Sequence, residues 1–231
     1  MKAVILLSGG MDSAVCGSIA KKEGFTVYAL HSNYHQRTSE KEYACAKKLA
    51  HFFHAEDFKV ITLNFLKEIG GSGLIDKTIE LPTKKIKIKT ETKKETTPQD
   101  IPPSYVPFRN SILLSLATAW AEVISADAIF YGANFIDFSG YPDCRPQYFK
   151  AFQKLIEVGT KDDTHIVLKT PLAELSKADI VKTGLQLDTP FELTWSCYTQ
   201  TEKACGICDS CRLRLEGFAK NNAQDPIQYE K

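Results

Sequence analysis

The chain has 231 residues, 43% of them apolar, enough to bury a core as one domain with elaborations or as one large and one small unit. Its 29 basic and 28 acidic residues leave a net charge of +1, too even for a generic polyanion binder, whose affinity needs a basic face. The opening "MKAVILLSGG" has too short an apolar run for a secretory signal, and the longest apolar region, Ile112 to Tyr131, carries Glu122 and Asp127, which a spanning helix would not tolerate cheaply. The protein therefore reads as soluble and cytoplasmic, with no membrane partner.

Ala3 to Leu7 is a continuous apolar run of the kind buried on both faces of a parallel sheet. A helix is predicted over Met11 to Glu23, with Gly24 ending it, then a strand over Phe25 to Leu30. After the polar "HSNYHQRTSE" come a helix from Glu42 to Phe53 and a strand from Phe58 to Leu63. The pattern breaks in an insertion of about residues 66–105, where Lys84 to Lys94 holds six lysines in eleven residues. A solvated hairpin or loop is the default there, the Ile86/Ile88 alternation favours an edge strand guarded by charge, and a nucleic-acid role is the minor reading. Regularity returns with a helix over Asn110 to Ser125, a strand over Ala128 to Tyr131 and a helix over Pro146 to Val158. "HIVLKTPL" supplies a further strand, and "SKADIVKTGLQL" a helix capped by Ser176 with Asp179 at the capping-box position. Strands alternating with helices imply crossover units, hence an open parallel α/β sheet with helices on both faces.

"SGGMDS", Ser8 to Ser13, lies where the first strand meets the first helix. A helix start leaves N–H groups unpaired and carries partial positive charge; Gly9 and Gly10 let an anion approach that backbone, and Ser8 and Ser13 add hydroxyl donors. The nucleotide P-loop needs a lysine after its second glycine and the dinucleotide fingerprint needs three glycines, so neither fits. A plain strand–helix turn explains one glycine well, but two serines, two glycines and an aspartate together poorly.

Seven cysteines are unevenly placed. Cys197, Cys205, Cys208 and Cys211 crowd into fifteen residues as C-x7-C-x2-C-x2-C, whereas Cys16, Cys45 and Cys144 are scattered. Four thiolates suit a tetrahedral structural zinc, with Gly206 turning the first short step; an iron–sulfur cluster would use the same ligand type. The scattered cysteines read as packing residues. A reactive thiol is the minor reading, and only Cys144, beside Arg145, invites it.

"SGGMDS" resembles the SGGxDS motif of the pyrophosphate-loop ATPases, which split ATP between its α- and β-phosphates and adenylate an oxygen. "NYHQRTSE", "PSYVPFRNSILLSLA", "GANFIDFSGYPDCRP" and "PFELTWSCYTQTEKACGICDSCRLR" narrow the resemblance to the QueC family of 7-cyano-7-deazaguanine synthases, from near the amino terminus to Arg214. That family turns 7-carboxy-7-deazaguanine, ammonia and ATP into the nitrile precursor of queuosine and archaeosine. The resemblance implies an adenine nucleotide alpha-hydrolase-like, Rossmann-like fold, with an ATP-binding unit over 1–190 and a small zinc-binding segment over 191–231. It also implies one zinc on the four cysteines, small-molecule partners without direct nucleic acid, and a homodimer.

Carried onto this sequence, the nucleotide loop covers Leu7, Ser8, Gly9, Gly10, Met11, Asp12, Ser13, Ala14, Val15, Cys16 and Gly17, with Asp12 a partner for Mg²⁺. Arg109, Lys177 and Arg145 are the candidate cations for charge developing on the leaving phosphate, Lys177 being as readily a surface lysine. Asn110 and Arg109 lie where substrate is expected, Asp137 and Asp143 where a guanine-like edge needs acceptors, and Tyr141 or Phe138 where a base would stack. Two positions depart from the family: it has glycine where Phe108 stands, and "YGQRH" where this chain has "YHQRT", with His35 and Thr38. An adenylating enzyme acting on tRNA shares the loop but wants a basic platform that a net charge of +1 does not offer. A non-catalytic zinc-ribbon module leaves "SGGMDS" and the sheet pattern unexplained.

Overall fold

The computed structural model describes residues 1–81, 101–136 and 141–230. Five parallel strands form one sheet in the order β3-β2-β1-β4-β5. They are β1 (Lys2–Leu6), β2 (Thr26–Asn33), β3 (Asp57–Thr62), β4 (Ala128–Phe130) and β5 (Val167–Lys169). Side chains alternate across β1, and both faces are covered. Val4 and Leu6 pack with α4 (Arg109–Val123), α5 (Pro146–Gly159) and the short α3 (Asn64–Ile69). Ala3, Ile5 and Leu7 pack with α1 (Met11–Lys22), α2 (Ser39–Phe52), α6 (Lys177–Gln186) and Phe218 of α7 (Asp209–Lys220). That double coverage is why the strand reads as an unbroken apolar run.

The chain lays β2 and β3 on one side of β1, then returns to lay β4 and β5 on the other. The connections leaving β1 and β4 therefore diverge at the carboxyl edge of the sheet, and a crevice opens between them where such sheets bind ligands. Ser176 caps α6 as expected: its hydroxyl accepts from Asp179 N (3.2 Å) while the Asp179 carboxylate accepts from Ser176 N (3.2 Å).

Some elements differ from the sequence expectation. β2 runs on past Leu30 to Asn33, because Ser32 and Asn33 still pair with Ile61 and Thr62 of β3. α2 starts at Ser39, three residues before Glu42, and β5 keeps only three residues of "HIVLKTPL". α3 and α7 are additional helices. Ile86, Ile88 and the lysine run lie outside the described residues. Among the described residues no helix is long and apolar enough to cross a membrane.

Candidate active site

Leu7 completes the last rung of β1, its N–H donating to Leu30 O (2.8 Å), and the chain then turns at Gly9 with φ +90°. A Cβ on Gly9 would lie 2.3 Å from the Glu42 carbonyl oxygen, so both the left-handed backbone and the approach of α2 exclude a side chain there. Gly10 precedes α1; its N–H donates to Ser8 Oγ (3.2 Å), Ser8 Oγ donates to Ser13 Oγ (3.0 Å), and Ser13 Oγ donates to Gly10 O (2.9 Å). The first intrahelical bond runs from Ala14 N to Gly10 O (3.1 Å), which leaves the N–H groups of Met11, Asp12 and Ser13 for an anion. Lys177, in the first turn of α6, is buried, and its Nζ donates to both Asp12 oxygens at 2.9 and 2.8 Å. It is no surface lysine.

This loop forms one wall of a cavity of about 260 Å³. The opposite wall begins with Arg109, the first residue of α4, whose guanidinium donates to Tyr34 OH (2.9 Å) and to Asn110 Oδ1 (3.1 and 3.3 Å). Burial works against its charge, but Tyr34, Tyr131, Tyr141 and Asp143 around it more than offset that and hold its pKa above the ordinary value. Asn110 donates from its side chain to Asp143 O (3.0 Å) and Cys144 Sγ (3.3 Å). Tyr34, Tyr131, Tyr141 and Tyr198 all line the cavity, and Tyr141 OH shares a 2.7 Å hydrogen bond with Ser104 Oγ. A cationic group among aromatic faces opposite a phosphate-type loop suits a flat, anionic substrate beside a nucleotide.

The structure brings Ser8, Gly10, Asp12, Ser13, Arg109, Asn110, Tyr141 and Lys177 to this one cavity. Ala14, Val15, Cys16 and Gly17 instead point into the apolar layer, where Gly17 meets the Phe53 ring, and none of the four lines the cavity. Arg145 precedes α5 and lies off the lining. Asp143 is buried behind it, with one oxygen accepting from Asn110 N (3.1 Å); burial raises its pKa. The neighbouring Cys144 thiol lines the cavity but is pushed up to about 12 by burial and by Asp143, so it is no thiolate nucleophile at neutral pH. Asp137 and Phe138 lie outside the described residues. Tyr34, Tyr131 and Tyr198 join the site without having been sequence candidates; the signal for two of them is their place in "NYHQRTSE" and "WSCYTQ", next to the other motif residues.

The four clustered cysteines place their sulfur atoms all within 4.8 Å of one another. Gly206, at φ +72°, makes the turn inside the first x2 step. Backbone N–H groups of Gln200 and Cys205 donate to Cys197 Sγ, and that of Cys208 to Cys205 Sγ, each at 3.4 Å. Such donors stabilise thiolates, and four converging sulfurs fit one tetrahedral ion. The cluster is tied to the loop, since Trp195 N donates to Gly9 O (2.8 Å). Beyond it Arg214 of α7 is fully buried and pairs with Asp225 through Nε (2.7 Å) and Nη2 (2.9 Å), clasping the tail; neither was a sequence candidate.

A family model described as "Queuosine biosynthesis protein QueC" matches residues 2–222. The chain belongs to the QueC family. It is 49% identical over 229 residues to the 7-cyano-7-deazaguanine synthase of Methanospirillum hungatei JF-1, spanning 99% of this chain and 100% of that one. It is 46% identical to the 7-cyano-7-deazaguanine synthase of Sulfurovum sp. strain NBC37-1, spanning 100% and 99%. A 4-thiouridine synthetase solved with RNA and bound ATP superposes with a TM-score of 0.50 at 19% identity, over 99% of this chain and 47% of that one, a likeness of fold.

His35 and Phe108 both sit on left-handed backbone, at φ +63° and +57°. Both positions hold the left-handed geometry that glycine serves best and fill it with bulkier residues. His35 makes a 2.7 Å hydrogen bond from its ring to Asn64 Oδ1, whereas Phe108 is 64% exposed. Thr38 lines the cavity and donates to Glu42 Oε1 (2.7 Å).

Proposed function

We propose that this chain is an ATP-dependent ligase that converts 7-carboxy-7-deazaguanine and ammonia to 7-cyano-7-deazaguanine through an adenylated carboxylate and an amide. The observation that carries the reading is the single cavity holding both the Gly9–Gly10 loop and Arg109 with its tyrosines, in a chain of the QueC family. A carboxylate is a poor electrophile because attack by ammonia must expel oxide. Transfer of the adenylyl group gives it a good leaving group, and the resulting amide, activated a second time at oxygen, loses that oxygen to become the nitrile.

In this reading the Met11–Ser13 N–H groups and the Ser8 and Ser13 hydroxyls bind the β- and γ-phosphates as they depart as pyrophosphate. Lys177 and Arg109 balance the negative charge that develops, and electrostatic placement does most of the work without a covalent protein nucleophile. The oxygen donors at the loop, one carboxylate and two hydroxyls, suit a hard cation. Asp12 is the residue that would reach a Mg²⁺ carried on the phosphates, sharing its carboxylate with Lys177, and the ion would neutralise pyrophosphate charge. The four cysteines would hold one zinc, whose chemistry with four protein ligands is structural. Tyr141 and its neighbours would stack on the deazapurine, and Asp143 would act from behind that wall, its carboxylate fixing Asn110 N at the start of α4. We further infer a cytoplasmic homodimer with small-molecule partners only, the dimer being checked by sedimentation. Mass spectrometry after incubation with ATP, Mg²⁺, ammonia and the carboxylated base tests the reaction: nitrile, AMP and pyrophosphate are expected, and ADP as the sole nucleotide product contradicts adenylation.

A further inference from the structure

We propose that Glu42 is the base that takes a proton from ammonium, so that free ammonia meets the activated carbon; this rests on the reaction proposed above. Gly9 lacks the side chain that would collide with the Glu42 carbonyl, so the first turn of α2 comes directly against the phosphate loop. The Glu42 carboxylate thereby lines the same cavity as Ser8, Ser13 and Arg109. Both its oxygens are held by neutral donors: Thr38 Oγ1 donates to Oε1 (2.7 Å) and Gln36 Nε2 to Oε2 (2.9 Å). Among the described residues only two carboxylates line the cavity, Asp12 and Glu42. Asp12 is committed to Lys177, whereas no cation among the described residues pairs with Glu42. A carboxylate carries about four lone-pair sites, so two hydrogen bonds leave it able to accept more. A half-buried carboxylate fixed in orientation and lacking a counter-ion suits a small cation rich in N–H donors, and ammonium is one.

The step balances without any further reagent. Ammonium gives one proton to Glu42. The freed nitrogen lone pair forms the C–N bond at the adenylated carbon, and the C–O bond to AMP breaks with its electron pair leaving on AMP. The surplus proton on nitrogen passes to water, and Glu42 releases its own proton to water before the next turnover.

The test is Glu42→Gln in the full chain beside wild type, with three readouts. These are pyrophosphate exchange into ATP with 7-carboxy-7-deazaguanine and no ammonia, amide and nitrile formation with ammonium, and hydroxamate formation with hydroxylamine, a nitrogen nucleophile already unprotonated at neutral pH. Exchange and hydroxamate formation are expected to stay within about threefold of wild type, while ammonium-dependent turnover at neutral pH falls about 100-fold, the scale of a lost general base. Equal losses with ammonium and hydroxylamine, loss of exchange, or retained ammonium turnover would each overturn the role. Should Glu42→Gln not fold, Glu42→Asp serves: an ammonium-specific loss of about 10-fold supports the role, and equal loss with both nucleophiles refutes it. A wild-type chain that exchanges no pyrophosphate removes the parent reaction and this step together; normal wild-type exchange confines any failure to Glu42.

Discussion

Asp12 and Lys177 are each other's counter-ion across the loop, and they are unequally sheltered: the lysine side chain is 9% exposed and the aspartate 22%. Removing the aspartate takes the counter-ion from the more sheltered of the two charges, a loss that typically costs about 3–5 kcal/mol. Removing the lysine leaves a carboxylate that water can reach. Asp12→Ala should therefore lower the urea unfolding free energy more than Lys177→Met does, while both abolish pyrophosphate exchange. Equal destabilisation by the two would mean that the pair is not buried as described. Cys144 and Arg109 follow the same logic of burial with opposite results: the thiol is kept neutral, and the guanidinium, ringed by phenols and Asp143, is kept charged.

At the level of elements, α4 opens from a strained residue. Phe108 is in the left-handed region at φ +57°, where a side chain costs roughly 1–2 kcal/mol, and with 64% of its surface exposed it recovers little by burial. Glycine removes that strain but carries about 0.5–1 kcal/mol more backbone entropy in the unfolded chain. Phe108→Gly should thus stabilise the fold by about 0.5–1 kcal/mol, read as a higher urea midpoint with unchanged slope; a lower midpoint would show that the ring makes contacts worth more than the strain. His35→Gly shares the geometry but gives up the Asn64 hydrogen bond, so its gain should be smaller.

The elements that sequence made legible are those whose signals are local. β1 announces itself as an apolar run, α6 by its capping box, and the loop by its glycines. α7 stayed hidden because its inward face is not apolar: Cys211 and Arg214 occupy core positions alongside Phe218, and the arginine becomes tolerable there only through Asp225, eleven residues on. The extension of β2 was likewise unreadable, since the polar Ser32 and Asn33 are strand only because β3 pairs with them. The same holds in the site. The phosphate loop is contiguous and could be read directly, whereas the tyrosine wall gathers Tyr34, Tyr131, Tyr141 and Tyr198 from four separate segments that only the sheet's crossover brings together.

For the whole molecule, the cysteine cluster and the tail form a brace behind the loop. Trp195 hydrogen-bonds Gly9, Thr194 accepts from Arg214, and Arg214 holds Asp225. Zinc binding in small peptides is worth roughly 10–16 kcal/mol, so the metal would dominate the stability of this brace. Elemental analysis of the purified chain should give one zinc per chain, and chelation should weaken pyrophosphate exchange by slackening the Trp195–Gly9 link. Full exchange activity after complete zinc removal would separate the brace from the loop.

The loop's role as a pyrophosphate cradle is tested most directly by a crystal of the chain soaked with a non-hydrolysable α,β-methylene analogue of ATP. The β- and γ-phosphates are expected on the Met11–Ser13 N–H groups, with Lys177 Nζ turned towards them and the α-phosphate directed at the Arg109 wall. Phosphates bound elsewhere, with those N–H groups facing only water, would contradict it.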